Sequence, residues 1–279
     1  MSQKTALVTG GNAGIGLATA RQLLERGLNV VITSRSQERA TAAAQELARH
    51  TAPGSQVYGV ALDLSDVNTV GPALALAITL AGDIDVLVCN AGVKIVRPFQ
   101  TTEQNVEWHY QINHLGHYLL AKELAGLQNG FHLTTVASIV ARTGDPTLWA
   151  SVPTDASASA RYAASKLANL TMAYAVANKL PAWSGAITAN SAHPGFTKAE
   201  PYGTAVTRFG ENLLAQDTTA GAKPIVAAAV RESSAFYTGP ARFELWGKPA
   251  QAKVTPKVTL ELARLLVETS ENQLKAAGF

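Results

Sequence analysis

Short apolar runs recur along the first two thirds of the chain: TALVTG (5–10), NVVITS (29–34), QVYGVAL (56–62), IDVLVCN (84–90), FHLTTVAS (131–138) and GAITANSAHPG (185–195). Between them apolar positions return at helical spacing, over 15–26, 36–49, 67–81, 103–127 and 158–180. Near-continuous apolar strands alternating with helices predict a parallel sheet covered on both faces by right-handed crossovers, an α/β arrangement in three layers. Further on, FYTGPARFELWG (236–247) reads as a last strand and its exit. A closing helix is expected over 257–275, with Leu260, Leu262, Leu265, Leu266 and Val267 as its apolar face. No Gly/Ser/Pro linker and no internal repeat divides the chain, so residues 1–279 are expected to form one domain. The least regular stretches, 142–157 and 196–218, adjoin strand ends, where such sheets bind ligands. The second of them is expected to cover a substrate.

Composition narrows the class. Of 279 residues, 47% are hydrophobic and 15% charged, which excludes a disordered chain. A net charge of +3 is too small and too scattered to suggest a nucleic-acid partner. The only cysteine, Cys89, rules out an internal disulfide and fits a reducing compartment. Because MSQKTALVTGG runs at once into a strand-and-turn pattern, no signal peptide is expected. The longest apolar stretch, PALALAITLAG (72–82), falls short of the roughly 20 residues that cross a bilayer. A soluble, cytoplasmic chain without a membrane span is the expectation.

The first strand ends in TGGNAGIG (9–16), which opens a helix. Gly10, Asn12, Gly14, Ile15 and Gly16 are the candidate phosphate-binding positions. The glycines allow a tight turn and close approach of backbone to a pyrophosphate, whose charge the helix start attracts. The spacing is G-x-x-x-G-x-G, not the general G-x-G-x-x-G, but its place in a β-turn-α unit points to a Rossmann-type dinucleotide site. At the end of the second strand, where an acid would bind the ribose 2′-hydroxyl of NAD, stand Ser34 and Arg35, with Arg39 a turn later. Arg35 can pair with a 2′-phosphate, so NADP(H) is favoured over NAD(H). Asp63 and Leu64, closing the third strand in ALDLSD, are placed to flank an adenine; Asp63 or Ser65 is also a candidate cap for the helix that follows.

RYAASKLANL (161–170) sets Tyr162 and Lys166 one helical turn apart, on one face. Taken together, the glycine loop, CNAG (89–92), YAASK (162–166) and HPG (193–195) resemble the short-chain dehydrogenase/reductase family over nearly the entire chain. YAASKLAN followed by NSAHPG is most similar to its retinol dehydrogenase and protochlorophyllide reductase branch. The resemblance implies that Tyr162 is the general acid/base, giving its proton to a carbonyl oxygen as hydride arrives from nicotinamide. Lys166 would lower the phenol's pKa from about 10 and bind the nicotinamide ribose. Ser138 would hydrogen-bond the substrate oxygen, where charge develops. Asn113 would help hold a water linking the lysine to solvent. Asn90, Ala91 and Gly92 would pass the adenosine ribose, while Pro194, Gly195 and Thr197 would meet the nicotinamide. No metal is implied: His114 and His117 lack an evident third ligand and read as packing or surface residues. Cys89, without a base partner, reads as a buried small hydrophobe.

Ser138 lies 24 positions before Tyr162, so ARTGDPTLWASVPTDASASA reads as an insertion over the site. Trp149, Pro153, Phe196, Pro201, Tyr202 and Phe209 suggest an apolar lid and hence a hydrophobic ketone, aldehyde or alcohol as substrate. The expected activity is NADP(H)-dependent interconversion of a carbonyl and an alcohol. Reduction of a C=C or C=N bond, and a non-catalytic NADP-sensing protein on the same fold, are the competing readings. Homo-oligomers are common in the family, and the state of this chain stays open.

Overall fold

The computed structural model describes residues 3–49, 51, 54–198, 215–231 and 235–279. Eight strands form one sheet: β1 (Thr5–Val8), β2 (Asn29–Ser34), β3 (Val57–Ala61), β4 (Val86–Cys89), β5 (His132–Val136), β6 (Thr188–Ala192), β7 (Tyr237–Arg242) and β8 (Trp246–Gln251). Their order is β3-β2-β1-β4-β5-β6-β7-β8, parallel throughout except for the antiparallel β7–β8 pair. This is the doubly wound Rossmann-type sheet, and strand order reverses direction between β1 and β4.

The period-2 geometry of strands builds a core on each face. Leu7, Val31 and Leu87 pack with apolar residues of α3 (Val70–Ala81), α5 (Gly116–Leu127), α6 (Ala158–Ala177) and α8 (Leu260–Ala276). Their neighbours Ala6, Val8, Val30, Ile32, Val86 and Val88 face the other way, onto α1 (Gly14–Glu25), α2 (Gln37–Ala48) and α7 (Thr218–Ala229). Among the described residues no helix is long and apolar enough to cross a membrane.

Several elements differ from the sequence pattern. The helix expected over 103–127 starts at α4 (Trp108–Tyr110), passes through a π-helical turn at Gln111–Leu115, and continues as α5. Asn105, at φ 57°, and the Thr101–Glu107 bridge close a turn ahead of it, and the Glu107 side chain caps α4 on Tyr110 N. The strand expected over 185–195 keeps only Thr188–Ala192. The run at 236–247 is not one strand but the start of a hairpin, whose turn puts Phe243 (φ 52°) and Glu244 (φ 59°) in the left-handed region. Neither residue announces such a turn.

The apolar face of α8 is also rotated. Leu260 and Leu265 are exposed, whereas Ala263, Leu266, Ser270 and Leu274 are buried. Trp149 is not a lid residue: it is 2% exposed and donates its indole N–H to the Ala164 carbonyl at 2.9 Å, from inside the core. Pro153 is exposed and Phe196 sits at the surface; Pro201, Tyr202 and Phe209, with most of 196–218, lie outside the described residues.

A core indole is worth stability, not substrate affinity. Trp149→Ala is expected to lower the unfolding free energy by about 3–5 kcal/mol, read from the urea midpoint at unchanged slope. A lid residue would leave the midpoint in place and raise KM instead.

Candidate active site

The glycine turn is built by sterics. Gly10 (φ +63°) and Gly14 (φ +57°) occupy backbone conformations that a side chain disfavours. A Cβ on Gly16 would lie 2.3 Å from the Gly10 carbonyl oxygen, so α1 can approach the turn only with glycine there. Ala13, at the N-cap of α1, offers no side-chain bond to the first-turn amides. Asn12, Gly14 and Ile15 all remain partly or fully exposed. An anion-binding cradle thus stands at the carboxyl end of β1, and it fits a dinucleotide pyrophosphate.

Around it lie the other cofactor candidates. Thr33 Oγ1 accepts from Gly10 N at 3.3 Å, tying the turn to the end of β2, where Ser34 is buried and Arg35 exposed. Asp63 accepts from Ser65 N and Ser65 Oγ; Asp66, not Asp63 or Ser65, caps the following 3-10 turn by accepting from Asn68 N. Leu64 is buried, and its carbonyl accepts from Gln111 Nε2 at 3.0 Å. Past β6, Gly195 (φ +72°) leaves no room for a Cβ, which would lie 2.5 Å from the Leu245 carbonyl oxygen. Thr197 turns inward: its hydroxyl donates to the Pro194 carbonyl at 2.9 Å and its side chain abuts Gly221.

Where β1 and β4 end side by side, one hydroxyl ties the two loops together. Thr9 Oγ1 accepts from the backbone N–H groups of Asn90 (2.9 Å) and Ala91 (3.0 Å), and Asn90 Nδ2 donates to Thr9 O. His117 Nε2 lies 2.8 Å from the same hydroxyl, and its Nδ1 lies 3.0 Å from the Asn113 carbonyl. A carbonyl only accepts, so Nδ1 carries the proton and Nε2 receives the Thr9 proton. Burial holds the His117 pKa down to about 4, so the ring stays neutral. His114 and His117, read from the sequence as packing or surface residues, are both buried.

Asn113 sits in the π turn with its side chain fully occupied. Its Oδ1 accepts from Val93 N (2.7 Å), and its Nδ2 donates to Val93 O (2.9 Å) and Ser165 Oγ (2.9 Å). A Cβ on Gly92 would lie 2.8 Å from Asn113 Oδ1 and 3.4 Å from Lys166 Nζ, so these three residues converge. Lys166, 5% exposed, donates to the Val136 carbonyl at 2.9 Å. Ser138 lies two residues past β5, and its carbonyl accepts from Tyr237 Oη at 3.2 Å.

The phenol behaves otherwise than the sequence suggests. Burial raises the Tyr162 pKa to about 12, opposed by its hydrogen-bonding neighbour Ser138. Lys166 Nζ lies 6.0 Å from the ring centroid and is engaged with Val136, so the expected lowering by the ammonium is not what this geometry produces. Tyr162 is a protonated phenol at neutral pH: a donor. Burial, and secondarily the charge of Lys94, lowers Lys166 to about 8. Cys89 is fully buried and burial pushes its thiol up, leaving it protonated and inert.

Thr9, Glu107, His109, Arg161 and Tyr237 were not among the sequence candidates. Thr9 opens TGGNAGIG and Arg161 immediately precedes Tyr162, so two of the five stood inside recognised motifs; no local pattern marks Glu107, His109 or Tyr237.

The family described as short chain dehydrogenase matches residues 4–207. Retinol dehydrogenase 14 of Homo sapiens is 33% identical over 215 residues, 71% of this chain and 63% of that protein. The chain spans 60–63% of the length of such relatives. Among solved structures, an uncharacterized protein from Mycobacterium paratuberculosis is 28% identical, with a TM-score of 0.77 over 98% of this chain and 94% of that one. A blue fluorescent protein from a metagenomic library, in complex with NADPH, is 27% identical, with a TM-score of 0.64 over 81% of this chain and 90% of that one.

Lys166 gives this site a pH signature. With a folded pKa of about 8 against an ordinary 10.5, the folded chain binds fewer protons than the unfolded chain between those values, so stability rises with pH across that window. Below it both states are protonated and the burial penalty is constant. The Tm of the wild type should therefore gain on that of Lys166→Met as the pH goes from about 7.5 to about 10. Parallel profiles for the two proteins would contradict a buried, depressed lysine.

Proposed function

The chain belongs to the short-chain dehydrogenase family, and we propose that it is an NADP(H)-dependent oxidoreductase interconverting a carbonyl and an alcohol on a hydrophobic small molecule. The observation that carries this reading is the half-buried Tyr162 hydrogen-bonded to Ser138, with Lys166 one turn on along the same helix and converging with Asn113 on Gly92.

The bound dinucleotide supplies hydride when it acts as reductant. The chain's residues do the rest. Gly10, Gly14 and Gly16 would admit the pyrophosphate to the start of α1, and Asn90, Ala91 and Gly92, with the first two held by Thr9, would receive the adenosine ribose. Ser138 orients the carbonyl oxygen toward Tyr162 Oη, which holds the proton that oxygen receives. Lys166, kept in place by Val136, offers its ammonium to the nicotinamide ribose and steadies charge as the phenol gives up its proton. Asn113 acts through position: it ties Val93 to Ser165, the residue before Lys166.

Arg35 supports the preference for NADP(H), since no acid stands at the end of β2 to repel a 2′-phosphate. The chain is taken as one domain working in the cytoplasm, as its single buried thiol allows.

Two measurements test this. Over a panel of hydrophobic ketones and aldehydes followed by NADPH absorbance, Tyr162→Phe should lose about 10²–10⁴-fold in kcat. Turnover that survives the substitution removes Tyr162 as the donor. In fluorescence titrations, NADPH should bind more tightly than NADH, and Arg35→Ala should weaken NADPH alone by about tenfold or more, the worth of a charge-assisted contact. Equal affinity for both dinucleotides refutes the assignment to Arg35.

A further inference from the structure

Three buried polar residues next to Tyr162 have no part in the chemistry above. Glu107, His109 and Arg161 are 6%, 0% and 4% exposed, and they meet one another. His109 Nδ1 lies 2.6 Å from Glu107 Oε1, and Arg161 Nε lies 2.9 Å from the same oxygen. The other carboxylate oxygen accepts from Tyr110 N at 2.9 Å. Arg161 also donates to the carbonyls of Ala156 and Val96, and its guanidinium lies 5.3 Å from the centroid of the Phe99 ring.

We propose that Glu107, His109 and Arg161 are positioning residues for the reaction: together they pin both backbone polar groups of Val96 and so fix residues 93–96 as the wall of the pocket beside Tyr162 and Lys166. The inference rests on the catalytic reading of that pair.

The argument is one of donors and acceptors. Val96 N–H only donates, and it reaches His109 Nε2 at 3.2 Å, so that nitrogen accepts. The ring proton then sits on Nδ1 and is given to Glu107. Val96 O only accepts, and Arg161 supplies it at 2.9 Å. At the other end of the same short stretch, Val93 N and Val93 O are both held by the Asn113 side chain. The segment is thus gripped at two points three residues apart. One grip comes from the turn that carries Asn113, the other from the residue immediately before Tyr162.

The wall is close to the chemistry. The rings of His109 and Tyr162 lie 6.5 Å apart, centroid to centroid, and Lys94, inside the gripped segment, is near enough for its charge to act on Lys166. Burial pushes the Glu107 carboxyl up, but its bonds from His109 and from the His109 and Tyr110 amides outweigh that, and the group stays ionised. Buried ion clusters of this kind are often replaceable by apolar side chains without loss of stability. Their use here is placement: a carboxylate, an imidazole and a guanidinium dictate direction, which an apolar contact does not.

His109 is the safest point of attack, because removing either charged partner strands the other. His109→Leu deletes both bonds; His109→Gln keeps an acceptor for Val96 N–H and a donor for Glu107. Amide hydrogen exchange of the peptide spanning 92–97, measured on folded protein, should be about tenfold faster or more in His109→Leu and close to wild type in His109→Gln. With NADPH and benzaldehyde as the probe, kcat should fall by about tenfold in His109→Leu and recover in His109→Gln, while NADPH affinity stays within about twofold in both. Unchanged exchange in His109→Leu overturns the inference. So does faster exchange with unchanged kcat, or a His109→Gln variant as impaired as His109→Leu. A wild type that fails to bind NADPH overturns the functional reading instead, and the exchange measurement then decides by itself whether the clamp holds Val96.

Discussion

The site depends on the point at which the sheet changes direction. From β1 the chain winds outward through β2 and β3 on one side, then returns to lay β4, β5 and β6 on the other. At such a reversal the crossover helices leave on opposite faces of the sheet, which is where sheets of this kind bind ligands, at the carboxyl ends of β1 and β4. Thr9 stands there. Its hydroxyl takes the amides of Asn90 and Ala91 and gives its proton to His117, so a single oxygen joins the glycine turn, the loop after β4 and the helix that carries Asn113.

The protonation of the site is set by desolvation. Lys166 is held against the Val136 carbonyl, which Asn169 also reaches at 3.1 Å, and burial makes its charge costly. Tyr162, half-buried on the same helix, keeps its proton because its surroundings penalise the phenolate. Neither group is at rest in its ordinary protonation range, and both are displaced toward the neutral form. The raised pKa keeps the phenol protonated but makes it a weaker acid, so it gives its proton only to an oxygen that has become strongly basic as hydride arrives.

Much of this was legible in the amino-acid sequence because the signals were local. TGGNAGIG, CNAG and YAASK each lie within one turn or one helix, and the alternation of strands with helices carries the sheet. The structure added what joins distant positions. Glu107 meets Arg161 only because α4 and α6 pack together, and no spacing in the sequence foretells that contact. Trp149 looks like a lid when read beside Pro153, yet its indole has a carbonyl partner, Ala164, on the Tyr162 helix. The β7–β8 turn was missed because Phe243 and Glu244 adopt left-handed backbone without the glycine or asparagine that normally signals it. The upward shift of Tyr162 was not legible because it comes from burial by residues distant in the sequence, while Lys166 Nζ is held on the Val136 carbonyl.

The most direct measurement is a crystal structure of the chain grown with NADP+. The account predicts the pyrophosphate on the amides at the start of α1, the nicotinamide ribose on Lys166 Nζ, and the reactive carbon of the ring facing the same small space as Tyr162 Oη and Ser138 Oγ. A dinucleotide seated elsewhere, or one whose nicotinamide turns away from that phenol, would contradict it.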